Sequence, residues 1–214
     1  MKKIMMLWII VASAWACNTK QDVWNSGICS PYFDGTIMDY LRADDYNWGL
    51  TVAMIERAGL TDLFEGQVDT LPEITFWAPK SYSIARWLLD SQKAAMPGNI
   101  YMEVEDVPVE LCRELILSYV VKGKYLKEDI AYRNMSYYIN DEEQDGGTDM
   151  ETLTGCQLRA YLLGSDWQGV ADAGPVTLNL WSFTYGEISV VTPDIQPSNG
   201  VIHALDYYVL FGNI

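Results

Sequence analysis

A single histidine, His203, serves the whole 214-residue chain, so any Ser-His-Asp or Cys-His relay has to be built around one imidazole. Bases are short too. Only 14 Lys and Arg face 29 Asp and Glu, for a net charge of −15, and a surface that acidic repels phosphate backbones and argues against nucleic-acid partners. Cysteine is sparse, at Cys17, Cys29, Cys112 and Cys156. If Cys17 is consumed at the N-terminus, as argued below, an odd number remains, at most one intramolecular disulfide can form, and a disulfide-held scaffold is not supported. Cys112 falls in an apolar helical pattern and is expected as a small buried hydrophobe. The chain also lacks a phosphate-cradling glycine loop, a metal-ligand spacing, a nucleophile elbow and a repeat of fixed period, which lowers the expectation of catalysis.

Half of the residues are hydrophobic, enough for a substantial core. At the N-terminus Lys2 and Lys3 precede an uncharged run from Ile4 to Ala16 that ends in small residues, the pattern of a secretory signal segment. The run is shorter than the ~20 residues a membrane-spanning helix needs, and no later stretch approaches that length. Ala14-Trp15-Ala16-Cys17 resembles a bacterial lipoprotein signal, although Ala14 stands where leucine is usual and Trp15 is bulky for its place. The resemblance implies a signal peptide over 1–16, lipidation of Cys17, and a tether over 17–35; several acyl chains on one residue make such anchoring stable. Asn18 does not look like an inner-membrane retention signal, so the expected location is the cell envelope at the outer membrane, with surface display a further expectation.

Beyond Pro31, apolar residues at Ile37, Leu41, Leu50, Met54, Ile55, Ala58, Leu60, Leu63 and Phe64 recur at three- and four-residue intervals. They predict two or three short helices over 36–65, interrupted at 44–49 and closed by Gly66. Ile74 to Ala78 reads as a buried strand, and Ser81 is placed to N-cap a helix running to Leu89. A further helix is expected from Pro108 to Val121, then strands at 132–139, 151–163, 176–183, 187–192 and 201–211. Helices first and strands afterwards indicate an α+β domain.

Three stretches in this order resemble the fasciclin domain. Thr75-Phe76-Trp77-Ala78-Pro79 looks like its first box, Leu115 to Gly123 around Tyr119 like its central segment, and Asn199-Gly200-Val201-Ile202-His203, with Asp206, like its second box. The chain departs from the family at Val120, where a histidine commonly follows the tyrosine, and at Ser81, where an aspartate or asparagine is frequent. The resemblance implies a fasciclin-like β-sandwich wedge with flanking helices over 36–214, carrying insertions near 90–106, 139–150 and 164–175. It also implies structural roles for Thr75, Ala78, Pro79, Tyr119, Gly155, Asn199, Gly200, His203 and Asp206, and adhesion or binding in place of catalysis, with no cofactor.

Taken by itself, His203 shares a strand face with Val201, Leu205 and Val209 while Asp206 faces away, which predicts a hydrogen-bonded core residue. Asn199-Gly200 fits a turn that needs positive φ. The acidic loop offers Asp141, Glu142, Glu143, Asp145 and Asp149 as oxygen ligands, but their spacing is not that of an EF-hand and no metal is expected. Aromatics in loops, Trp48, Tyr137 and Trp167, are the ones expected to be free to stack on a ligand. Two functional readings follow. One is a non-catalytic envelope lipoprotein for adhesion or ligand binding, with a protein or glycan partner. The other is an accessory surface lipoprotein of a TonB-dependent outer-membrane transporter of glycans or peptides. A hydrolase would instead need His203 or two carboxylates brought into a solvent-open pocket.

Overall fold

Thr36 opens the first helix with a capping box: its Oγ1 accepts from the Asp39 N–H at 3.1 Å while the Asp39 carboxylate accepts from the Thr36 N–H at 2.9 Å. The computed structural model describes residues 30–93, 100–170 and 173–214. The chain divides into a leading unit that ends at Ser30 and a second unit, Pro31–Ile214, which carries the helices and strands described below. The signal segment, Cys17 and Cys29 lie outside the described residues.

Helix α1 spans Ile37–Arg42 and α2 spans Asp45–Arg57. Asp44 caps α2 by accepting from the Asn47 N–H at 3.2 Å, so the interruption expected over 44–49 shrinks to Ala43 and Asp44, and Gly49 lies inside the helix. Helix α2 and the short α3 (Thr61–Phe64) end at Gly59 and Gly66, where φ is +64° and +72°. Each end closes with a bond across the turn, Leu60 N–H to Ile55 C=O at 3.1 Å and Gln67 N–H to Asp62 C=O at 2.8 Å.

Strand β1 (Ile74–Ala78) is buried throughout, and α4 (Ser81–Lys93) follows Pro79. Ser81 is itself the first residue of α4, and its Oγ accepts from the Leu50 N–H of α2 at 3.1 Å in place of the capping role expected of it. Beside it Thr51 Oγ1 donates to the Pro79 C=O at 2.6 Å, so two adjacent residues of α2 hold the entry to α4. Helix α5 (Val109–Leu117) stops short of the expected Val121, because Tyr119 C=O accepts from the Trp77 N–H at 2.9 Å and Val120–Lys122 forms an edge strand, β2, on β1.

The remaining strands are β3 (Thr148–Glu151), β4 (Gln157–Gly164), β5 (Val176–Ser182), β6 (Gly186–Ile195) and β7 (Gly200–Leu205). They join one seven-stranded mixed sheet in the order β2-β1-β7-β6-β5-β4-β3, parallel only between β1 and β7, so the domain is α+β as expected. Register breaks at Val190, Thr192 and Ile195 let β6 pair with β5 on one side and β7 on the other, joining both halves of the sheet. The outer edges meet where Val121 bridges Thr152 and the Leu153 N–H donates to the Val120 C=O at 2.8 Å, which leaves little free edge.

Several sequence expectations change. Residues 132–139 form no strand; the buried Gln144 side chain organises them, accepting from the Asn134 N–H at 3.0 Å and donating to the Asn134 C=O at 2.9 Å. The segment 151–163 is two strands, since Gly155, at φ +87°, turns the chain between β3 and β4. The last strand ends at Leu205, where Asp206 Oδ1 accepts from the Tyr208 N–H at 2.8 Å to start a turn. Residues 31–35 are docked and not a tether, with the Phe33 N–H donating to Gln196 C=O at 3.0 Å. Cys112 is buried as expected, its Sγ 3.7 Å from Met54 Sδ.

Candidate functional site

Parallel pairing of β1 with β7 sets Thr75 opposite Val201 and Trp77 opposite His203, so the two motif stretches lie side by side in the sheet. Their polar side chains grip one loop. Thr75 Oγ1 donates to the Gly123 C=O at 2.8 Å and accepts from the Tyr125 N–H at 2.9 Å. His203 Nδ1 accepts from the Asp194 N–H at 3.2 Å, which leaves Nε2 to donate to the Tyr125 C=O at 2.9 Å. Asp194 Oδ1 in turn accepts from the Lys127 N–H at 2.7 Å. The imidazole is fully buried, stacks on Trp77 at 4.6 Å between centroids, and has its pKa pushed below the ordinary histidine value by that burial. With both nitrogens occupied and no path to solvent, it holds the fold and offers no general base.

Asn199 does more than make a turn. Its Oδ1 accepts from the Ile37 N–H at 2.8 Å and its Nδ2 donates to the Phe64 C=O at 2.9 Å, tying the start of α1 to the end of α3 from inside the protein. Positive φ belongs to Gly200 alone of the pair, at +153°, and a Cβ there would stand 2.0 Å from the Ile74 carbonyl oxygen. Tyr119 is buried, stacks parallel to Phe211 at 5.6 Å, and accepts from the Gly212 N–H at 2.8 Å; burial raises its phenol pKa. Ala78 is buried at the end of β1, and Pro79 supplies the carbonyl that Thr51 holds.

The aromatics singled out as free to bind fare differently. Trp48 is 3% exposed, because α2 begins at Asp45 and so places it on the inner face with Thr51 and Ile55; it packs near Tyr40 and offers no platform. Tyr137 is half-buried, while Trp167 is 59% exposed in the loop between β4 and β5. The acidic loop spends its carboxylates locally: Asp141 accepts from the Tyr138 N–H at 2.8 Å, Asp145 from Asn134 Nδ2 at 2.7 Å, and Asp149 pairs with Arg159 at 2.9 Å. Glu142 and Glu143 are exposed. Among the described residues no three His, Cys, Asp or Glu side chains converge to hold a metal.

Tyrosines passed over in the sequence make the most developed candidate site. Tyr46 of α2, Tyr82 of α4 and Tyr207 of the turn after β7 line an open groove of about 540 Å³ together with Asn47, Lys80 and Ser81, over a floor that includes Leu50 and Ala85. Tyr82 meets Tyr207 edge to face at 5.6 Å, and Tyr207 leans on Tyr208 at 4.0 Å. The groove is fixed from below. Ser83 Oγ donates to the Tyr207 C=O at 3.1 Å and Arg86 Nη1 to the Tyr208 C=O at 3.2 Å, while the contacts of Leu50 and Thr51 hold α2 against the start of α4. Tyr46 itself is 90% exposed. One sequence signal could have found it: Tyr46 and Trp48 lie two residues apart, and on a helix such neighbours face different ways, so burying one exposes the other.

No family model matches the chain, and no curated protein matches it. Among solved structures it is similar to a FAS1 domain pair from the insect cell adhesion molecule fasciclin I, at 12% identity and a TM-score of 0.49. The match covers 83% of this chain and 46% of that one, so the chain spans about half the length of that structure.

Proposed function

We propose that the chain is a non-catalytic, fasciclin-like adhesion or binding domain, held at the cell envelope through a lipidated Cys17, that engages its partner through the tyrosine-lined groove. The observation that carries this is the groove: three rings from three separate elements, anchored by hydrogen bonds below and open to solvent above. Concave sites lined by aromatic rings with a few polar groups are where ligands bind. The buried, doubly bonded His203 supports a binding role over hydrolysis.

The test combines two variants. Cys17→Ser should move the protein from the membrane fraction to the soluble fraction. Tyr46→Ala with Tyr82→Ala, still membrane-bound, should lose cell adhesion or partner retention; a double variant that adheres and co-purifies like the wild type refutes the groove assignment. The outer-membrane location that Asn18 beside the anchor favours is compatible with a second reading, an accessory subunit of a TonB-dependent outer-membrane transporter. A stoichiometric transporter in mild-detergent extracts supports it, and a monomer carrying no transporter counts against it.

A further inference from the structure

We infer that this groove takes a neutral glycan, with the C–H face of a pyranose ring laid on a tyrosine. This rests on the groove being the ligand surface. A sugar ring presents an apolar face and a rim of hydroxyls, and the groove answers both. The rings of Tyr46, Tyr82 and Tyr207 supply the faces, and the edge-to-face contact of Tyr82 with Tyr207 holds two of them still before anything binds. The polar complement stands between the rings. Ser81 Oγ already accepts from the Leu50 N–H, which leaves its hydroxyl hydrogen to donate. Asn47 spends its amide nitrogen on Asp44 at 2.6 Å, which leaves its carbonyl oxygen to accept.

Charge decides between glycan classes. The lining holds a single cation, Lys80, with no second base beside it to clamp an anionic group. The molecule's −15 opposes a polyanionic chain at longer range. A protein partner is the poorer fit. Interface hot spots sit in desolvated pockets around an apolar anchor, whereas here Tyr46 stands nine-tenths in solvent and the aliphatic floor is only Leu50 and Ala85.

The test is affinity electrophoresis of the full chain in mild detergent through gels holding dextran, pullulan, mannan, xylan or galactan, with polygalacturonate as the anionic control. The inference expects retardation on at least one neutral polysaccharide and none on polygalacturonate. Tyr82→Ala and Tyr46→Ala should each weaken that retardation roughly tenfold, as loss of a ring contact does, while Tyr82→Phe stays within a few-fold of wild type. Retardation by no neutral polysaccharide overturns the inference, as does retardation that Trp167→Ala abolishes and the tyrosine variants leave intact. A photo-crosslinking residue at position 46 separates the two readings. If it captures an envelope protein in a Tyr82-dependent manner while every gel is negative, the glycan falls and the binding surface stands; if crosslinking and gels are both negative, both fall.

Discussion

At the residue scale the motif side chains act as internal fasteners, and two of them give measurable signatures. Asn199→Ala strands the Ile37 N–H and the Phe64 C=O in the core, and one buried group left without a partner costs about 1–3 kcal/mol. The variant should therefore lose about 2–4 kcal/mol in urea denaturation, and a loss under about 1 kcal/mol would contradict the clamp. His203 predicts a pH dependence. Its folded pKa is depressed by burial, so the unfolded chain takes a proton near pH 6.5 that the folded protein refuses. The stability contributed by neutral His203 is present above that pH and falls as the pH drops toward the folded value, at up to about 1.4 kcal/mol per unit. His203→Gln has no such proton to take. Between about pH 7.5 and 5 it should start less stable and decline less steeply than wild type; equal slopes would remove the imidazole from the account.

At the element scale, Thr75 shows how one strand residue organises a distant loop. It bonds both Gly123 and Tyr125, and His203 meets the same loop from the neighbouring strand. Thr75→Val keeps the shape and deletes both bonds, so it should cost about 1–3 kcal/mol and speed amide exchange at Tyr125 well beyond that in β4, read by hydrogen exchange. The sequence made the local part of this legible. Closure at Gly66, the buried strand at 74–78 and the core placement of His203 all follow from short-range chemistry. What stayed hidden depends on distant partners. Residues 132–139 have strand composition, yet pairing with β4 stops after the Tyr132–Leu162 bridge, and from Asn134 onward the Gln144 side chain supplies the bonds. Ser81 has cap chemistry, yet Leu50 of another helix claims its oxygen. The candidate groove was the least legible of all, because it assembles from residues 46, 82 and 207 and no single stretch of sequence contains it.

At the scale of the whole molecule, the balance of charge separates kinds of partner without any mutation. A net charge of −15 attracts basic proteins from a distance, and that attraction is screened as salt rises. A neutral glycan gains nothing from the field and loses nothing when it is screened. Between about 0.05 and 0.5 M salt the Debye length shortens roughly threefold. Over that range binding to a neutral polysaccharide should change by less than about twofold, since no ion pair forms and stacking on Tyr82 and Tyr46 is insensitive to ionic strength. A basic partner bound through the acidic surface should weaken steadily, by an order of magnitude or so, with the loss appearing in the association rate. Titration at the two salt concentrations therefore reads the chemistry of the partner directly. A steep salt dependence that survives Tyr82→Ala would place the working surface on acidic residues outside the tyrosine groove.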